Sequence, residues 1–330
     1  MDRFPVFSRG AVVFKKDPVI VLLGPTGSGK SSIALDLAGM FPTELVCMDS
    51  MQVYSELKIG NTAPKQSERA LVPHHLFGHV SIREDYSSFR WLRECRNTIS
   101  RIQKKGKIPL LIGGTGLYYK LFMEGISAVP QTPPSIRQRL NRRIEEKGLL
   151  SLYRLLQKLD PNVAATLHPN DRQRIQRFLE VRLLTGKSIR DFWNTGRSGA
   201  SSAHVLTLGV RRPRALLRRR ITERLNRMVL EGWLDEVSFL NKKGLRQFVE
   251  ERGPIGYGIF FRYLDGKIAT HSDAIELVDA ATRKYAKRQM TWFQTFSNIE
   301  WIEIQDEMRY NQRDVYKCIV EFLENGSHKS

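Results

Sequence analysis

An α/β fold, a P-loop doubly wound parallel sheet with a mainly helical insertion domain, is predicted by three features of the sequence. Short unbroken apolar runs, Val19 to Leu23 and Ile108 to Ile112, alternate with helical periodicity in the first part of the chain. A glycine-rich run, Gly24 to Ser31, lies between the first of these strands and the helix that follows it. From Ile136 onward the pattern turns helical and basic. Strands buried on both faces of a parallel sheet read as continuous apolar runs, and a crossover helix must join each to the next.

Taken in order, Val19-Ile20-Val21-Leu22-Leu23 reads as a buried strand, and Ser31 to Met40, with Ile33, Leu35, Leu37 and Ala38, as its helix. Glu44 to Met48 is a second strand, Phe89 to Lys104 an amphipathic helix, and Ile108 to Ile112 a third strand ended by Gly113-Gly114. Ile136 to Lys147, Leu149 to Leu159 and Arg172 to Thr185 carry apolar residues three and four apart with Arg or Lys opposite. Gly196 to Ala203 is a Gly/Ser-rich loop, Val205 to Val210 a strand, and Pro213 to Glu231 a long basic helix. Trp233 to Phe322 reads as mostly helix, broken by a loop at Arg252 to Gly258. The implied organisation is a first part of the P-loop core over 17–136, a helical insertion over 137–204, a return to the core over 205–303 and a tail over 304–330.

The 330 residues hold 53 Lys and Arg against 34 Asp and Glu, a formal charge of +19. The excess is local: residues 137–230 hold 22 basic and 7 acidic residues, whereas residues 231–330 hold 14 and 16. A field concentrated in this way attracts polyanions, either nucleic acid or an anionic membrane surface. No apolar run approaches the ~20 residues that cross a bilayer. Three cysteines, Cys47, Cys95 and Cys318, form no CxxC pair. That usage suits a reducing compartment without structural zinc, and a cytoplasmic protein is expected. Residues Met1 to Lys16 lack the long apolar stretch of a secretory signal.

Gly24-Pro25-Thr26-Gly27-Ser28-Gly29-Lys30-Ser31 fits GxxxxGK[ST] with a strand before it and a helix after it. Backbone N–H groups and the helix N-terminus favour phosphate oxygens there, Lys30 adds a point charge, and the Ser31 hydroxyl suits Mg²⁺. A di- or triphosphate ligand follows. A nucleotide-hydrolysing protein would carry a metal-binding Asp at the end of a later strand, yet the third strand runs into Gly113-Gly114-Thr115-Gly116. The second strand does end in an acid, Asp49. The carboxyl end of that strand belongs to the crevice where doubly wound sheets hold ligands, so Asp49 is a candidate metal ligand or base.

With this loop stand Asp49-Ser50-Met51-Gln52-Val53-Tyr54, Ile59-Gly60-Asn61-Thr62-Ala63, His74-His75-Leu76-Phe77, Gly113-Gly114-Thr115-Gly116-Leu117-Tyr118, Asp171 to Arg177, and Arg283 to Phe293. In this order, over about residues 17–303, the sequence closely resembles the tRNA dimethylallyltransferase family. The resemblance implies transfer of a dimethylallyl group from dimethylallyl diphosphate to N6 of the adenosine 3′-adjacent to the anticodon. It implies that the glycine-rich loop holds the donor's diphosphate, so that an ATP-binding label would describe ancestry. Asp49 matches the family's general base and Thr115 a residue beside the reacting base. Asp49, Ser50, Met51, Gln52 and Thr115 match positions that meet the tRNA.

The anticodon arm of tRNA is the implied partner of the basic segment. Arg137 and the run Gln173, Arg174, Ile175, Gln176 and Arg177 match tRNA-contacting positions, against the plainer reading of a solvated helix face. Arg220 and Arg224, one turn apart, are candidates for a diphosphate clamp. A monomer with Mg²⁺ as its cofactor and no membrane association is expected. Adjacent His74 and His75 lack a third metal ligand, and structural or substrate-lining roles suit them better. Trp233, Trp292 and Phe293 read as core. Gly258-Ile259 stands where the family has a basic or polar pair, which removes an expected tRNA contact. Two other classes compete: a P-loop small-molecule or nucleoside kinase, which has no use for the basic segment, and an RNA-binding GTPase-like switch, which lacks its NKxD motif.

Overall fold

In the computed structural model, residues 17–127, 129–194, 197–198, 203–305 and 310–325 are described. The N-terminal segment, most of the Gly/Ser-rich loop at 196–203 and part of the expected tail lie outside them. The chain forms two compact units, one of Met1–Tyr119 with Ser202–Ser330 and the other of Lys120–Ser201.

The first unit is built on six parallel strands. In chain order they are β1 (Pro18–Leu23), β2 (Thr43–Cys47), β3 (His74–His75) and β4 (Ile108–Gly113); a short pair of the other unit, β5 (Ile126–Ser127) and β6 (Arg197–Ser198), intervenes before β7 (His204–Arg211) and β8 (Glu300–Glu303). Their spatial order is β3-β2-β4-β1-β7-β8. Every residue of β1, β2 and β4 is buried, as the apolar runs of the inner strands require. The helices are α1 (Lys30–Met40), α2 (Gln66–Leu71) and α3 (Ser88–Gln103), then α10 (Arg214–Leu230), α11 (Trp233–Lys242), α12 (Arg246–Arg252), α13 (Tyr257–Leu264), α14 (His271–Phe293) and α15 (Gln312–Asn325); α4 (Gly116–Glu124) runs across the boundary at Lys120, and α5 to α9 belong to the other unit. Ser87 caps α3 by accepting the Arg90 N–H, and Trp91, Leu92, Cys95, Ile99 and Ile102 form the buried stripe of that helix.

Register brings the loops of the site together. Leu23 pairs with Gly113, and Cys47 with Ile112, so the chain leaves β1, β2 and β4 at one edge of the sheet. This is the crevice beyond the carboxyl ends of the strands. Gly113 must be glycine, because a Cβ there would fall 2.0 Å from the Met48 carbonyl oxygen.

The second unit consists of α5 (Pro134–Lys147), α6 (Leu149–Leu159), α7 (Pro161–Ala164), α8 (Arg172–Thr185) and α9 (Ile189–Asn194), with β5 and β6 antiparallel. Leu140, Leu152, Leu156, Ile175 and Leu179 form its core. The unit begins at Lys120, ahead of Ile136 where the helical periodicity becomes readable. Two strands of the sheet escape the sequence pattern. β3 is two residues long, and the edge strand β8, Glu-Trp-Ile-Glu, buries only Ile302.

Candidate functional site

The loop between β1 and α1 is shaped by glycines and held by cations. Gly27 and Gly29 have φ of 82° and 96°, values that disfavour a side chain, and Gly29 starts α1. Basic groups take the loop's carbonyls: Lys30 Nζ donates to Pro25 O at 3.2 Å, Arg220 Nε to Gly27 O at 3.3 Å, and Arg212 Nε to Ser28 O at 2.7 Å. Arg224 donates to Thr26 Oγ1. Pro25 has no N–H to donate, and its carbonyl accepts Lys30 Nζ and the Ser28 N–H within the loop.

Crowding of these cations out of water leaves an electrostatic mark. Desolvation lowers the Lys30 pKa to about 8, opposed by the charge of Asp49 and reinforced by Arg224. Arg224 falls to about 10, again through desolvation first, with Asp49 opposing and Arg220 adding. An anion placed here relieves that repulsion, which is the physical content of a diphosphate site.

Across the crevice lies the acid. Asp49 Oδ1 accepts the Met51 N–H at 2.9 Å, and among the described residues its Oδ2 carries no hydrogen bond. Thr115 Oγ1 accepts the Ser50 N–H at 2.9 Å and donates to Ser50 Oγ at 3.3 Å. The loops after β2 and β4 are thereby fastened to each other beside the carboxylate. Gln52 spends its amide on the carbonyls of Asn61 and Thr62, at 3.1 and 3.0 Å.

One cavity of about 1160 Å³ joins these groups. It is lined by Lys30, Ser31, Asp49, Ser50, Met51, Gln52, Arg220 and Arg224, and also by Trp233, Tyr285, Arg288 and Gln289. Pockets for one small molecule usually hold ~300 to 1,000 Å³, and this space lies just above that range. Arg212 and Gln289 were not anticipated as site residues. Its position directly after Arg288 within the Arg283 to Phe293 motif is the signal that marks Gln289. Glu236 is the other addition. Its carboxylate accepts the N–H groups of Lys58, Ile59 and Gly60 at 3.0, 2.8 and 3.3 Å and fixes that wall of the cavity.

Further expectations resolve differently. Trp233 and Phe293 are buried, but Trp292 is 40% exposed and does not belong to the core. His75 Nε2 pairs with the buried Glu44 at 2.7 Å and His74 Nδ1 with Val72 O at 2.8 Å, which are structural bonds; His74 also lines the cavity. No cluster of three His, Cys, Asp or Glu able to hold a metal exists among the described residues. Within the second unit, Gln173 and Arg174 are exposed, and Arg174 pairs with Asp171 at 2.6 Å. Arg137 grips Glu180 at 2.8 and 3.2 Å, and Gln176 donates to Asn141 at 2.9 Å. Arg177 donates to Thr132 and to the Pro130 carbonyl at 2.8 and 3.3 Å. Ile175 corrects the expected tRNA-contacting run: its side chain is fully buried and packs the unit's core.

A parallel α/β sheet whose GxxxxGK[ST] loop is held by cations and faces a carboxylate across one cavity defines a P-loop protein with an anion-binding crevice. Family models described as IPP transferase and isopentenyl transferase match residues 52–296 and 18–72, and the chain belongs to the IPP transferase family. The tRNA dimethylallyltransferase of Geobacter metallireducens is 40% identical over 88% of this chain and 93% of its own. That of Dictyoglomus turgidum is 36% identical over 95% and 96%. Among solved structures, the tRNA isopentenylpyrophosphate transferase of Bacillus halodurans superposes with a TM-score of 0.69 at 31% identity, covering 94% of this chain and 98% of that one. A eukaryotic dimethylallyltransferase acting on tRNA gives 0.78 at 29%, covering 95% and 81%. Membership of this family decides against the kinase and the GTPase-like switch.

Proposed function

We propose that this protein is a tRNA dimethylallyltransferase, which joins the dimethylallyl group of dimethylallyl diphosphate to N6 of the adenosine 3′-adjacent to the anticodon and releases diphosphate. The single observation that carries this reading is the shared cavity, in which Lys30, Arg220 and Arg224 and the carboxylate of Asp49 line one space. The allylic C–O bond breaks with its electron pair leaving on diphosphate, the N6 lone pair forms the C–N bond, and N6 gives up one proton. Asp49, with Oδ1 tied to Met51 and Oδ2 open, accepts that proton. Lys30, Arg220 and Arg224 stabilise the charge that gathers on the leaving group. Thr115 and Ser50 keep the acceptor loop in place. An adenine stacked in the anticodon loop must leave its stack to reach the cavity, at a cost of a few kcal/mol.

A hard divalent cation fits the donors present. Mg²⁺ needs few protein ligands when phosphate oxygens and water supply the rest, and Ser31 offers its exposed hydroxyl at the start of α1. Such an ion neutralises charge on the diphosphate. Contacts from the second unit, the guanidinium of Arg174 and the amide of Gln173 foremost, supply affinity for the anticodon arm. We place the protein in the cytoplasm as a monomer, in keeping with three free cysteines, and no helix of the described residues is long and apolar enough to cross a membrane.

The test is to incubate the protein with Mg²⁺, radiolabelled dimethylallyl diphosphate and unmodified tRNA in the absence of ATP. Label entering tRNA is the expected result. Unlabelled tRNA, with phosphate moving from ATP to a small acceptor instead, overturns the reading.

A further inference from the structure

Trp292 and Phe293 are neighbours on α14 with opposite fates: Phe293 is fully buried, whereas Trp292 stands 40% exposed. Gly116 explains how the indole is held. A Cβ built on that glycine would lie 2.9 Å from Cδ2, 3.1 Å from Cε3 and 3.3 Å from Cγ of Trp292. Three ring atoms at nearly equal distance mean that a face of the indole rests on the Gly116 backbone. Gly116 is absent from the left-handed region, so the ring, and not the backbone, is what requires glycine there. The exposed area of the indole is left for something else.

Its surroundings indicate what. Gly116 directly follows Thr115, which holds the acceptor loop, and one turn back along α14 Arg288 and Gln289 line the cavity. The same helix carries Lys284, Lys287 and Arg288. A flat aromatic surface one turn along the helix from two residues that line the cavity, with Lys284, Lys287 and Arg288 on the same helix, matches an anionic chain that bears flat bases. Single-stranded RNA loops are read in this way, by stacking on aromatic side chains whatever the base, because every base has a π-face.

We propose that Trp292 is a stacking platform for the RNA base next to the nucleotide that enters the cavity. The inference rests on the tRNA reading above and adds a subsite to it. Stacking carries no charge, so losing it lowers affinity without releasing fewer counterions.

The experiment measures binding of an unmodified anticodon stem-loop to the parent, Trp292→Ala and Trp292→Phe proteins over a series of salt concentrations, with inorganic diphosphate binding as the control for an intact site. Trp292→Ala should weaken RNA binding by about tenfold. The log–log salt slope and the diphosphate affinity should stay unchanged, and Trp292→Phe should recover most of the loss. RNA should quench part of the tryptophan fluorescence of the parent, and that part should vanish in Trp292→Phe. Unaltered RNA binding in Trp292→Ala, or a loss that phenylalanine does not restore, overturns the platform while leaving the transferase reading intact. A parent protein that neither binds nor prenylates the stem-loop overturns both.

Discussion

Gln289 accepts the backbone N–H of Thr26 at 2.9 Å from a position 263 residues further along the chain. Its amide nitrogen donates to the Gly114 carbonyl at 2.8 Å. Since an N–H only donates and a carbonyl only accepts, the orientation of the amide is fixed by its partners. One nearly buried side chain therefore ties the diphosphate loop to the loop that carries Thr115. Gln289→Met leaves the buried Gly114 carbonyl without this partner, at ~1–3 kcal/mol, and frees the partly buried Thr26 N–H at a smaller cost. A clear drop in stability by chemical denaturation is expected, with transfer slowed in the fraction that remains folded. Unchanged denaturation would show that the two loops hold their spacing without this bridge.

Asp49→Asn keeps an oxygen for the Met51 N–H and removes only the ability to take a proton. Transfer should fall by ~10² to 10⁴-fold, the usual worth of a general base. Affinity for tRNA should stay within a few-fold of the parent. Single-turnover rates together with equilibrium RNA binding separate the two, and a large loss of RNA affinity at normal rate contradicts the assigned role.

Lys30 gives the site a pH dependence of definite sign. Its pKa in the empty protein is lowered to about 8 by desolvation, with Asp49 opposing the shift and Arg224 adding to it. A bound anion raises it again, so binding takes up a proton once the pH exceeds about 8. Diphosphate affinity should be flat below that pH and fall above it, by at most about one log unit per pH unit from this single group. Arg224, at about 10, extends the decline at higher pH. Calorimetry of inorganic diphosphate between pH 7 and pH 10 in buffers of different ionisation enthalpy checks both the trend and the proton count. Lys30→Met should bind weakly and lose the first step; a parent curve that rises with pH refutes the assignment.

Much of this site was legible because its residues work locally. The glycine-rich loop is one continuous segment between a fully buried strand and a helix, and Asp49 lies two residues beyond the next strand, so strand pattern and motif point to both. Arg212 and Gln289 were missed because their partners, Ser28 and Thr26, are far away in sequence. Periodicity shows which face of a helix is apolar, and cannot show that a buried amide is spent on two distant loops. Trp292 escapes the pattern for a related reason: the residue its ring lies against, Gly116, is far away in sequence. β8 was hidden because an edge strand with one buried residue has almost no apolar period. Ile175 was drawn into the RNA-contacting run by motif, although the helical spacing of Ile175 and Leu179 already placed it on the core face.

The second unit separates two roles within that motif. Arg174 is exposed and pairs, among the described residues, with Asp171 one turn earlier, whereas Arg177 braces the chain at Pro130 and Thr132 and lies 3.5 Å from the buried Glu180. An exposed arginine that meets a phosphate releases about one counterion, worth ~0.7 to 0.9 in log–log salt slope. Arg174→Gln should therefore weaken tRNA binding, lower the slope by about that amount and leave thermal stability where it was. Arg177→Gln removes bonds to a carbonyl and a hydroxyl and uncovers part of a buried carboxylate, so its first effect should be a lower melting temperature, with RNA binding affected through the altered unit. Filter binding at several salt concentrations, beside a thermal melt of each variant, distinguishes them. A salt slope unmoved by Arg174→Gln would mean that this arginine points only at solvent, and the basic contacts to RNA must then come from other residues.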